Sequence, residues 1–218
     1  MFFFYLKKIL EENIIGQNIR FKVEMFSSTI IKEVTEEGWR AHRENGGGVI
    51  FEIASHAIDL INFLIGVPEK VIGTSLNYIY SKNVEDAMST TFLYKKNISG
   101  TLYVNWSDES YRKPELKFEI FGENGKILAD QHGMKLYFKK PDSKNQFVKG
   151  WNKLYLTDLF QSVPFYVRGN EFTSQLYNFV EQVKTKTINN KCSFKEATKT
   201  LDIIEKIFND FNTNGRLN

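Results

Sequence analysis

Six stretches that can form β-strands follow one another at about 69–80, 86–95, 99–107, 115–121, 126–130 and 134–139, joined by short connections. Parallel neighbours need a crossover of about a dozen residues or more, so this spacing predicts an antiparallel or mixed sheet. Leu102, Val104 and Trp106 alternate onto one face, as do Leu116, Phe118 and Ile120. Gly122-Glu123-Asn124-Gly125 reads as a hairpin turn, because glycine and asparagine tolerate positive φ. A sheet with one apolar face needs helices to cover it. Helical patterns occur at 2–12, 47–65, 170–185 and 193–211. The first has Phe3, Leu6, Ile9 and Leu10 as its apolar face, and the third carries Phe172, Leu176, Phe179, Val180 and Val183. The last opens at Ser193, an N-cap with Glu196 placed for a capping box. Gln17–Phe26 alternates as a further strand, and 27–45 and 140–167 read as loops. The fold class is therefore α+β, an open and mostly antiparallel sheet with helices on one face.

The 218 residues suit one domain spanning 1–218. Twenty-nine basic and 26 acidic side chains give a net charge of +3, a mixed surface with no electrostatic footprint for nucleic acid. Cys192 is the single cysteine, so no internal disulfide or thiolate metal site is expected, and a cytoplasmic location fits. Met1-Phe2-Phe3-Phe4-Tyr5-Leu6 is too short for a secretory core, and no run reads as membrane-spanning. Phe2 and Phe4 add apolar surface with no evident partner, as though the chain begins inside a larger architecture.

Chemistry concentrates in one helix. Gly46-Gly47-Gly48 opens an apolar run that ends at Gly66-Val67-Pro68. Within it Glu52, His56 and Asp59 fall at i, i+4 and i+7, which places all three on one face of a regular helix. A histidine beside two carboxylates suits proton transfer. The plainer reading is a core or interface histidine with satisfied partners. A divalent metal is a third reading, but no second motif supplies further ligands, and no metal is expected. The three glycines either let a ligand approach backbone N–H groups at a helix N-terminus or pack tightly against a neighbouring strand.

No Gly-x-Gly-x-x-Gly follows a strand, and there is no Walker loop or Gly-x-Ser-x-Gly elbow. The glycine triplet followed by Glu52-x-x-x-His56-x-x-Asp59-Leu60 resembles the second domain of the Gfo/Idh/MocA oxidoreductases, which follows a Rossmann domain in that family. Ile15-Gly16-Gln17, Trp39-Arg40, Phe121 to Ile127 and the closing helices agree in order with it. The resemblance implies a glyceraldehyde-dehydrogenase-like C-terminal domain, NAD or NADP as cofactor, and a sugar, sugar nucleotide or cyclitol as substrate. It makes His56 the acid/base and places Glu52 where the family usually has aspartate. By the same resemblance Gly47 and Gly48 approach the cofactor, and Trp39, Arg40, Asp59 and Arg168 line the substrate cleft. It further implies a homo-oligomer formed through the sheet's outer face, with Tyr103 and Phe121 among its aromatics. The family's Glu-Lys-Pro lysine is missing from this chain, as is the cofactor fingerprint. The N-terminal dinucleotide-binding domain is thus expected to be absent and the isolated chain inactive. Two rivals stand beside this reading: a non-catalytic partner or oligomerisation subunit, and a carbohydrate-binding module using exposed aromatics.

Overall fold

The computed structural model describes residues 2–17, 19–33, 38–155, 158, 170–187 and 193–215. Helix α1 (Phe2–Glu11) precedes strand β1 (Arg20–Phe26). Helix α2 (Ser55–Leu64) follows a π-helical turn at Ile50–Ala54. Strands β2 (Lys70–Asn77), β3 (Ala87–Leu93), β4 (Ser99–Asn105), β5 (Glu115–Gly122), β6 (Gly125–Ala129), β7 (Gly133–Phe138) and β8 (Gly150–Tyr155) come next. Helices α3 (Asn170–Thr185) and α4 (Phe194–Asp210) close the fold, with a second π turn at Phe211–Gly215.

All eight strands form one sheet in the order β2-β3-β4-β1-β5-β6-β7-β8. Every pairing is antiparallel except β1 with β4. The segment carrying α2 separates β1 from β2, so the chain re-enters the sheet at an edge and works back until β4 lies beside β1. The inner face is apolar in alternation: Phe21 and Val23, Met88 and Phe92, Leu102 and Val104, Phe118 and Ile120, Leu136 and Phe138 are all buried. Burying each such side chain stabilises the fold by about 1.5–3 kcal/mol. Helices α1, α2 and α4 cover this face through Leu6 and Ile9, Ala57, Ile58 and Ile61, and Ile203, Ile204 and Ile207. The segment Arg43–Leu64 is long and apolar enough to cross a membrane by length and composition. Here its Ile50, Ile53, Ala54, Ile58 and Ile61 sit in the core, which accounts for their apolarity.

Two carboxylates lock connections around the sheet, one to helix α4 and one within the turn between β2 and β3. Thr74 N, at the bulge in β2, donates to Asp210 Oδ2 at 2.7 Å and fixes the end of α4. Asp86 accepts from the backbone N–H groups of Ile79, Tyr80 and Ser81, from Ser81 Oγ and from Trp106 Nε1, all at 2.6–2.7 Å. Burial pushes the Asp86 carboxyl up, but donors on Ser81, Trp106 and Tyr80 outweigh it and hold the group below its usual range.

The structure departs from the sequence reading in several places. The stretch 140–167 is not all loop, because β8 occupies Gly150–Tyr155. Its Trp151, Lys153 and Tyr155 face out while Asn152 and Leu154 are half-buried, and an edge strand needs no more apolar content than that. The β5–β6 hairpin forms, yet neither Glu123 nor Asn124 takes positive φ. Its glycine serves close approach: a Cβ on Gly122 would meet Ile15 O at 2.3 Å, and Asn124 N donates to that same oxygen at 2.8 Å. Phe4 has a partner, an edge-on contact with Phe63 at 5.0 Å between centroids. Ser193 caps α4 by accepting from Glu196 N, but the Glu196 carboxylate pairs with Lys199 instead of completing the box. Helix α3 does not pack its stripe on the sheet: Leu176, Phe179, Val180 and Val183 are exposed.

Candidate functional site

The site is built on the entrance to α2. Gly46 ends a 3₁₀ turn at Arg43–Asn45 in the left-handed region, and Gly48 has φ +96°. A Cβ on Gly48 would lie 2.4 Å from Glu85 Oε1, so any other residue would strain the backbone and push the Glu85 carboxylate aside. Glu85, fully buried just before β3, caps the helix entrance. Its backbone oxygen accepts from Val49 N at 2.9 Å and its Oε1 accepts from Ile50 N at 3.1 Å. Glu85 thus meets two N–H groups that a helix start leaves unsatisfied, one with its backbone carbonyl and one with its carboxylate, and the carboxylate complements the helix dipole. Arg43 Nη2 donates to Glu85 Oε2 at 3.0 Å from the solvent side. Burial nonetheless pushes the Glu85 carboxyl up, against the pull of Ile50 N and Arg43. Sequence reasoning missed this residue; the adjacent acids Glu85-Asp86 at the mouth of an apolar strand were the available signal.

Of the two readings of the glycine triplet, close packing is the one this arrangement displays at Gly47 and Gly48. Both are buried, Gly47 N donates to His42 O at 2.9 Å, and a Cβ on Gly47 would meet Arg40 O at 2.4 Å. They pack the turn closely against neighbouring backbone and carboxylate.

A π turn occupies Ile50–Ala54, so Glu52 lies in a stretch of i→i+5 bonding and His56 in the regular helix that follows. Glu52 turns to Arg40, which donates from Nε to Oε2 at 2.8 Å and to Oε1 at 3.0 Å, and from Nη2 to Oε1 at 2.8 Å. The Glu52 hydrogen bonds push the Arg40 guanidinium further up from its usual value. Arg40 also lies over the Trp39 ring, 4.6 Å from its centroid, and the indole is 45% exposed. His56 and Asp59, inside regular α2, are i, i+3 neighbours and both exposed. Asp59 Oδ1 accepts from Thr200 Oγ1 of α4 at 3.3 Å. His56 makes no hydrogen bond or ion pair with any described residue. It is therefore not a core histidine. Arg168 lies outside the described residues.

A rigid α+β scaffold thus presents a free imidazole on α2, and a bidentate Arg–Glu pair with an indole at the π turn that precedes it. This is the class of an α+β domain with an open sheet and an exposed acid/base candidate, not that of a dinucleotide-binding fold. Residues 3–128, more than half of the chain, match the GFO/IDH/MocA C-terminal domain, and the chain belongs to that family. No curated protein matches it. Among solved structures, levoglucosan dehydrogenase in complex with NADH superposes with a TM-score of 0.77 at 17% identity, over 95% of this chain and 60% of that one. An oxidoreductase domain protein from Kribbella flavida gives 0.78 at 16% identity, over 97% and 60%. An oxidoreductase from Agrobacterium radiobacter in complex with NAD+, L-tartaric acid and magnesium gives 0.70 at 14% identity, over 98% and 60%. These likenesses establish a shared fold, and the chain spans about three-fifths of the length of each of the three.

Proposed function

We propose that this chain is the substrate side of an NAD(P)-dependent oxidoreductase acting on a hydroxyl of a sugar, sugar nucleotide or cyclitol. The observation that carries the reading is His56: an exposed imidazole, without a partner among the described residues, on a helix whose other faces are locked into the core. Family membership and the NADH named with levoglucosan dehydrogenase support the choice of chemistry.

The residues present fit one half of such a site. No glycine fingerprint exists in the sequence to receive a pyrophosphate, and the amides of Gly47, Val49 and Ile50 are spent on His42 and Glu85. The dinucleotide would be held chiefly by a nucleotide-binding domain outside this chain. The free imidazole fits the other half, where a substrate hydroxyl needs a proton acceptor.

NAD(P), when bound, supplies hydride transfer at the carbinol carbon. His56 takes the hydroxyl proton as the carbonyl forms, and returns it in the reverse direction. With no protein hydrogen bond to break, the ring is free to meet the substrate hydroxyl directly. Glu52 acts through Arg40: its two-oxygen grip fixes the guanidinium and, through it, Trp39 at the rim of the site. Asp59, steadied by Thr200, offers an acceptor to a second hydroxyl one turn along. Burial of Glu85 beneath Gly48 holds the helix entrance still, which limits the drift of both catalytic and binding groups.

The test is to assay the chain alone and with a nucleotide-binding domain of the same family supplied in fusion. The chain alone is expected to show no micromolar binding of NAD(H) or NADP(H) by calorimetry and no turnover. The fusion is expected to oxidise or reduce a sugar-like substrate with matching change in NAD(P)H absorbance. Micromolar cofactor binding by the chain alone would contradict the division of the site proposed here.

A further inference from the structure

We infer that the substrate of this site carries a carboxylate or phosphate group, received by the outer edge of Arg40. The inference rests on the reading of the His56 flank as the substrate side and adds the chemical class of what binds there.

A guanidinium has five N–H donors and two edges that match an oxyanion in a fork. Glu52 takes the side-on edge, made by Nε and one N–H of Nη2. The end-on edge, one N–H of Nη1 and the second of Nη2, has no acceptor among the described residues. The side chain is 43% exposed, while its Glu52 partner is 18% exposed, so the unused donors lie on the solvent side of the pair. One face of the group is against the Trp39 ring, 4.6 Å from the centroid. Backbone fixes the residue as well, since Arg40 O lies against Gly47 so closely that a Cβ there would be 2.4 Å away.

The orientation is thus set before any ligand arrives. A surface arginine normally loses rotamer freedom on gripping an anion, whereas here Glu52 and Trp39 have already removed it. Glu52 also balances the positive charge, so the long-range pull on anions is weak. What remains is a short-range, directional fork. Such a device selects an oxyanion over a hydroxyl without binding it tightly. It lies beside the helix turn that precedes His56, so an anionic group at one end of a sugar chain and a reacting hydroxyl nearer its middle would be held together.

The experiment is arginine-selective ¹⁵N NMR on the full chain at fixed ionic strength. Gluconate supplies a carboxylate, glucose 6-phosphate a phosphate, and glucose neither. The Arg40 side-chain resonances are expected to shift saturably with at least one of the two anions and not with glucose, and the two anion arms identify which oxyanion fits. Arg40→Gln should weaken that binding about ten-fold or more, and Arg40→Lys, which keeps the charge but not the fork, should fail to restore it. An equal response to glucose, no saturable response, or an unchanged affinity in folded Arg40→Gln would overturn the inference. Should Arg40→Gln fail to fold, the wild-type shifts alone decide. No cofactor or turnover enters this measurement, and His56→Ala is expected to leave anion binding in place. Loss of turnover in His56→Ala with no anion binding would therefore sink the substrate class and leave the site reading standing; the converse result would do the opposite.

Discussion

Glu85 shows how much one residue decides. It is 0% exposed, lies against Gly48 and accepts from Ile50 N at the start of the helical run that carries Glu52 and His56. Desolvation raises its folded-state pKa above the ordinary carboxylate value, with Arg43 and Ile50 N offsetting part of that. In the unfolded chain the group titrates normally, so between the two values the folded protein binds more protons. The stabilising contribution is therefore complete below the ordinary carboxylate range and is lost as pH rises to the raised value. Glu85→Gln removes this dependence. We expect urea unfolding across mildly acidic to neutral pH to show wild-type stability falling relative to Glu85→Gln as pH rises. A flat or rising difference would mean that Arg43 holds the carboxyl low. The glycine triplet was legible in the sequence as a special turn, but its purpose was not, because a missing Cβ does not say which atoms fill the space. The i, i+4, i+7 pattern assumed a regular helix, whereas Ile50–Ala54 takes a π turn where the entrance is pinned to Glu85.

At the scale of elements, periodicity identified what each segment is more reliably than what it touches. Leu6 and Ile9 of α1 and Leu102, Val104 and Trp106 of the β4 region are buried as their spacing implied. The same kind of stripe on α3 is exposed, with Phe179 at 66% and Val183 at 62%. A hydrophobic stripe records that a helix has a face to cover, and says nothing about which surface covers it. Strand β8 escaped detection because only Asn152 and Leu154 face inward, too few for an alternating signal. These differences give a direct contrast in stability. Ile58→Ala or Ile61→Ala in α2 leaves a cavity in the core and should cost about 2–5 kcal/mol in chemical denaturation. Leu176→Gln or Val183→Gln in α3 should change stability by no more than about 0.5 kcal/mol, because neither side chain is buried. A loss of several kcal/mol from the α3 variants would mean that the helix packs on this chain in solution.

The whole molecule has two unlike sides. Helices α1, α2 and α4 seal the inner face of the sheet, and the outer face exposes Phe121, Tyr137, Trp151 and Tyr155 among charged side chains. Tyr137 and Trp151 meet edge-on at 5.4 Å between centroids. An aromatic outer face is compatible with the proposed homo-oligomer. The proposed chemistry lies elsewhere, on α2, whose apolar side is held in the core while the His56 ring is exposed and unengaged among the described residues. That contrast is the central claim, and the rate of the chemical step in His56→Ala tests it most directly. The measurement is single-turnover kinetics in the enzyme formed by joining this chain to a nucleotide-binding domain, at saturating cofactor. The account predicts a fall of about 10²–10⁴-fold in that step, the usual worth of a positioned acid/base. Thermal stability should stay within about 0.5 kcal/mol of wild type, because an exposed side chain without partners holds nothing together. Unchanged single-turnover kinetics in a folded His56→Ala enzyme would contradict the claim.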